Sequence, residues 1–250
     1  MIAIVSMAIH HTAMVLWQIV PAFVLVPMYF FRGITFPIMA FFVVEGFRRT
    51  SNIKNYMARL LLFGLVAQVP YTLAFGLTTL NIIFTILLGL VLLALYDKFY
   101  VNGSGKPWRR TLFVVLFIVL VLVTSTILEG GLIGPVIIFL LHVIKDERKR
   151  RIYPLVLWGI AIALSVRALR WSAPVDGMAE MFDMQGIMQY ELHMTQYPVI
   201  PLGTFMIIPL LLAYNGERGR HAKLLFYVFY PLHLAVLAAI SFALGLNNFI

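Results

Sequence analysis

The 250 residues are 62% hydrophobic and 12% charged, against about 25% charged in an ordinary soluble domain. With a mean hydropathy of +0.96, this composition excludes a soluble globular protein and implies one integral membrane domain over 1–250. A net charge of +9 would suit a nucleic-acid binder, but the basic residues lie between apolar stretches, where they serve orientation and headgroup contact. The absence of cysteine removes disulfides and thiol catalysis.

A helix needs about 20 apolar residues to cross the hydrocarbon core. In chain order the pattern predicts an all-α, polytopic bundle of about nine transmembrane helices, at about 2–20, 29–47, 57–75, 80–97, 111–127, 131–144, 153–170, 199–214 and 224–245. The first stretch lacks the basic start and small-residue cleavage site of a signal peptide, so it is read as a span. Pro21 and Pro27 interrupt its exit. The span at 131–144 is short. Sixteen of the nineteen Lys and Arg fall in four clusters: Arg48/Arg49/Lys54/Arg59, Lys98/Lys106/Arg109/Arg110, Lys145/Arg148/Lys149/Arg150/Arg151 and Arg218/Arg220/Lys223. Two spans separate successive clusters, so all four face the cytoplasm, with the N-terminus inside and the C-terminus outside. Only Arg32, Arg167 and Arg170 fall at outward ends.

Gly103-Ser104-Gly105-Lys106-Pro107 reads as a flexible turn. The longest connection, 171–198, carries Asp176, Glu180, Asp183 and Glu191. It also carries Met178, Met181, Met184 and Met188 at helical spacing, which suits an amphipathic segment on the outer surface that receives an acceptor. The methionines read as interfacial packing rather than a copper site with His193. No internal repeat is detectable, so an inverted-repeat transporter gains no support.

Ionisable groups at membrane depth are costly and are functional candidates. His11 lies about ten residues into the first span, about 15 Å deep, and His233 is equally deep in the last. The two imidazoles are expected at one level near the middle of the bilayer, as general base or nucleophile. The competing reading is a structural hydrogen bond between helices; His10 points about 100° away and is assigned that role. Glu45 sits before Arg48 and Arg49 and is expected to pair with Arg59. Asn81, Thr85 and Gly89 share one face of the fourth span, suiting helix packing or a substrate amide. Gln68 and Tyr71 flank Pro70 as a polar spot at a helix break. Glu129-Gly130-Gly131 is read as a cap for the sixth span. His142 and His221 need only solvation. No metal-ligand spacing is present.

Several strings together resemble one family. Met7-Ala8-Ile9-His10-His11 is similar to its Met-x-x-Asp-His opening. Phe36-Pro37-Ile38-Met39-Ala40-Phe41 through Glu45-Gly46-Phe47 to Thr50, continued by Lys54, Tyr56, Arg59 and Leu60, resembles its second motif. Asn81-Ile82-Ile83-Phe84-Thr85 with Gly89 resembles its N-x-x-F-T-x-x-x-G element. Lys223 with Phe226-Tyr227-Val228-Phe229-Tyr230-Pro231-Leu232-His233-Leu234 resembles its closing motif. The family is TraX, named for the pilin N-acetylase of conjugative plasmids and grouped with multi-pass membrane acyltransferases. The resemblance implies transfer from acetyl-CoA to an amine, typically the N-terminus of a pilin or peptide, in the bacterial inner membrane. It implies a catalytic set of His11, His233, Asn81, Thr85 and Glu45. For acetyl-CoA it implies Arg48, Arg49, Lys54, Arg59, Lys223 and Tyr230. Three departures stand out: His10 replaces the acidic residue, Arg32-Gly33 reverses a Gly-Arg, and Glu129-Gly130-Gly131 replaces Asp-Tyr-Gly. The alternatives are an O-acetyltransferase acting on an envelope sugar and a transporter using buried histidines as a proton relay.

Overall fold

A computed structural model describes residues 1–76, 78–102, 106–172, 199–217 and 223–246. The described residues form nine α-helices: α1 Ile2–Val15, α2 Ala22–Arg49, α3 Ile53–Phe75, α4 Ile82–Tyr96, α5 Pro107–Thr124, α6 Ile133–Val143, α7 Glu147–Ser172, α8 Val199–Leu212 and α9 Lys223–Ala243. A π-helical turn, Asp97–Val101, prolongs α4. Each predicted span contains one helix. Five are long and apolar enough to cross a membrane: α2, α3, α4 with its π turn, α5 and α9. The apolar helices α1, α6 and α8 are shorter. The protein is thus an all-helical membrane protein. The predicted turn at 103–105 and the 173–198 part of the expected acceptor segment lie outside the described residues.

Several boundaries differ from expectation. Helix α2 starts at Ala22 and carries Pro27 and Pro37 inside it. Helix α3 passes through Pro70 to Phe75, where Gly76 closes it at φ 66°, so there is no break between Gln68 and Tyr71. Apolar packing and nearby polar groups make such prolines tolerable in membrane helices. The basic run 148–151 is the first turn of α7 rather than a loop.

The helices group into two compact units, Met1–Ile38 with Arg151–Arg218, and Met39–Arg150 with Gly219–Ile250. In the first, Ala13, Leu25 and Tyr29 form a core under Met14, Trp17, Val20, Met28 and Val199. Helices α2 and α8 meet backbone to backbone. A Cβ on Gly33 would lie 1.9 Å from the Ile200 carbonyl oxygen, and one on Gly203 2.1 Å from that of Phe30. Small residues permit such an approach, and packing then replaces the hydrophobic effect that lipid removes. Thr204 Oγ1 donates to the Gly33 carbonyl at 3.0 Å, a polar lock inside this contact. Arg151 donates to the Leu211, Leu212 and Tyr214 carbonyls, closing the C-terminal end of α8.

In the second unit α9 packs on α3, α3 on α4, and α4 on α6. Gly89 lets Ile138 of α6 approach α4, which is the packing use of the Asn81-Thr85-Gly89 face. Large apolar side chains on α3, α5 and α9, among them Leu62, Val69, Ile118, Leu122, Leu232 and Val236, are exposed. In a helix this apolar, such a face is solvated by lipid.

Candidate functional site

Two polar networks lie in the second unit, and each follows from how its helices begin or end. The first is built at the start of α4. Asn81 directly precedes an apolar run, the position where an amide side chain caps a helix. Its Oδ1 accepts from the Ile83 N–H at 3.1 Å. Its Nδ2 donates to the Gly64 carbonyl and to Gln68 Oε1, both at 2.9 Å. Its own N–H reaches the same Gln68 oxygen at 3.0 Å. Gln68 Nε2 donates in turn to the Thr79 carbonyl at 3.0 Å and Thr72 Oγ1 at 3.3 Å. Asn81 is fully buried, and both its amide hydrogens are committed. It therefore has no hydrogen to offer a thioester oxygen, and its role is to hold α3 and α4 together.

One turn on, fully buried Thr85 accepts from the Gly130 N–H at 3.1 Å, leaving its hydroxyl proton for donation. Glu129 and Gly130 belong to the connection that joins α5 to α6, where the Glu129 N–H donates to the Leu80 carbonyl and the Leu80 N–H to that of Ile127. Glu129 is not the cap of α6; Leu132 occupies that place, without a side-chain bond. The hydroxyl of buried Tyr230 on α9 faces the Ile82 backbone, Glu129 and Tyr71.

Less than one turn beyond Tyr230 stands His233, half-buried, with ring centroids 5.6 Å apart. Its Nδ1 lies 2.8 Å from the Phe229 carbonyl, and its ring stacks on Phe229 at 4.7 Å. A carbonyl can only accept, so Nδ1 carries the hydrogen and Nε2 the lone pair. A helical carbonyl thus sets the tautomer that a general base needs.

The second network lies where the basic residues gather. Glu45, 8% exposed, accepts from Arg150 at 2.9 Å and from Arg49 at 3.0 Å. The expected partner, Arg59, is not the one the fold supplies. Arg59 is exposed and lies over the Tyr56 ring at 5.9 Å, beside a shallow hollow lined with Asn55, Ala58 and Leu62. Arg150 is 2% exposed. It also pairs with Glu147 and lies over the Phe41 ring at 5.3 Å. Arg48 donates to Glu147 at 3.3 Å and to the His142 carbonyl at 3.0 Å.

His142 was expected to need only solvation. Instead its Nε2 meets Asp97 Oδ1 at 3.2 Å, at the start of the π turn, and its ring is edge-on to Phe47 and Tyr96. Of the residues expected to guide acetyl-CoA, Arg48 and Arg49 are thus tied into ion pairs and Lys54 is exposed. Lys223 opens α9, but its side chain lies outside the described residues.

The two deep histidines belong to different units, His11 to the first and His233 to the second. His11 is 3% exposed. Neighbouring His10 bonds the Ser6 carbonyl of its own helix through Nδ1 at 3.3 Å, not a second helix.

The TraX protein family model matches residues 1–241. The chain belongs to the TraX family. It is 28% identical over 259 residues to the probable fimbrial assembly protein FimC, serogroup H1, of Dichelobacter nodosus, a match covering 95% of this chain and 92% of that one. No solved structure matches. In this TraX-family chain the closing motif, Phe229-Tyr230-Pro231-Leu232-His233, lies on α9, which packs on α3.

Proposed function

We propose that this protein is an integral membrane acetyltransferase that moves an acetyl group from acetyl-CoA to an amine, the N-terminus of a pilin or secreted peptide. Membership of TraX and similarity to a protein named for fimbrial assembly support a pilin-related role. The observation that carries the chemistry is the 2.8 Å bond from His233 Nδ1 to the Phe229 carbonyl, which places the hydrogen on Nδ1 and makes Nε2 the basic nitrogen.

In the reaction the acceptor amine attacks the thioester carbonyl carbon. A C–N bond forms, the C–S bond breaks, and the amine proton passes to His233 Nε2. The imidazolium then protonates the departing thiolate, giving free CoA and a neutral His233. The Thr85 hydroxyl donates to the carbonyl oxygen as charge develops on it. Tyr230 orients His233 and lines the cofactor's path, with Arg59 and Lys54 at its entrance. Glu45 fixes the charged end. The chain makes nine passes of the bacterial inner membrane, with its four basic clusters in the cytoplasm, its N-terminus inside and its C-terminus outside.

The test uses purified protein, labelled acetyl-CoA and three acceptors: a peptide with a free N-terminus, the same peptide blocked, and an envelope oligosaccharide. Label on the free peptide alone is the expected result. Label on the sugar would identify an O-acetyltransferase instead. Solute flux in liposomes without CoA release would identify a transporter.

A further inference from the structure

We infer that Arg150 is the anchor of a buried phosphate-binding site, formed with Arg48 at the basic end of the second unit. The reasoning starts from the unused part of its guanidinium. Nη2 binds Glu45 and Glu147. Nε and Nη1 are buried without a hydrogen-bond partner among the described residues. Leaving a charged donor both dry and unpaired costs more than leaving a neutral one so. Such a group persists where something else completes it.

The shape of the arrangement indicates what that is. Glu45 is buried and holds one edge of the guanidinium in place against the Phe41 ring. Glu147 is different: its side chain is 54% exposed, it begins α7, and it also holds Arg48. A tetrahedral oxyanion that displaces the Glu147 carboxylate would meet Nη1 and Nη2 together as a two-pronged donor, with Arg48 released to the same group. Arginine forms such paired bonds to phosphate, and lysine cannot. The ligand class is thus a phosphate monoester or diphosphate. It has two sources at this depth: a soluble phosphate-bearing carrier, or the headgroup of an anionic lipid. The first source rests on the acetyl-CoA reading above; the site itself does not.

The experiment measures equilibrium binding to the full-length protein in neutral detergent, with CoA, pantetheine and inorganic pyrophosphate as probes. A parallel arm uses nanodiscs of phosphatidylglycerol or phosphatidylcholine. Wild-type protein is expected to bind CoA and pyrophosphate but not pantetheine. Arg150→Lys keeps a cation between the two glutamates, so its melting temperature stays near wild type while phosphate affinity falls at least about tenfold. Glu147→Gln removes the competing carboxylate and tightens binding by a few-fold, a change of sign that a merely structural role would not give. Arg150-dependent binding in phosphatidylglycerol nanodiscs, with none to CoA, keeps the site but assigns it to lipid and counts against the acetyl-CoA reading. The inference is overturned if wild-type protein binds none of the phosphate probes. It is equally overturned if R150K and E147Q both bind them as wild type does.

Discussion

The Gln68–Asn81 network and the Arg150 network belong to the same unit and each has a buried centre, Asn81 or Arg150, yet they are finished differently. In the first, both amide hydrogens of Asn81 and both of Gln68 have an acceptor. In the second, Arg150 has two carboxylates on one nitrogen and none on the others. A polar cluster that closes on itself fixes helices to one another. One that ends in unused donors, or in a histidine whose Nδ1 is fixed as the donor, is built to meet a ligand. Substitutions in the closed kind should therefore remove stability, and substitutions in the open kind should remove binding or turnover while the fold survives.

The sharpest way to break this distinction is at His233. Replacement by Gln keeps a donor for the Phe229 carbonyl but removes the base. Turnover should fall about 10²- to 10⁴-fold with the melting temperature unchanged; single-turnover CoA release reads the first and thermal unfolding in detergent the second. At the anchored edge of Arg150, Glu45→Ala strips a buried guanidinium of its fixed partner. A stability loss of about 3–5 kcal/mol is expected in a steric-trap or denaturant measurement. Asn81→Ala removes a helix cap and leaves the Gly64 carbonyl and Gln68 without their donor. About 2–3 kcal/mol should be lost, with activity falling only in proportion to the folded fraction. Thr85→Val keeps the shape and removes the acceptor for the Gly130 N–H. It should lose about 1 kcal/mol, and a larger loss of turnover than of stability marks Thr85 as a donor to the thioester.

Much of the fold was legible because lipid removes ambiguity. Long apolar runs between basic clusters leave little choice but helices, and all nine expected positions contain one. The ends were harder. Nothing at Glu147–Arg151 stops a helix, so α7 begins before its apolar run; Pro70, a breaker in water, leaves α3 continuous. The cap at Asn81 had a readable signal, an amide side chain just before an apolar run, and Gly89 on the same helical face packs on Ile138 of α6. The charged end was not legible. Glu45 and Arg150 are 105 residues apart, and four basic residues in a row give no hint which one is buried. Asp97 and His142 meet only because α4 and α6 pack side by side. The sequence reading paired Glu45 with Arg59 at the membrane boundary, whereas helical spacing supplies Arg49 and tertiary packing Arg150.

One assay bears most directly on acetyl transfer by a histidine held in a single tautomer. Purified wild-type protein and its His233→Gln variant, matched for melting temperature, are given labelled acetyl-CoA and a peptide with a free N-terminus. The account predicts stoichiometric CoA thiol release and label on the α-amine with wild type, and loss of both in the variant. Equal label transfer by the two proteins, or none by wild type, would contradict it.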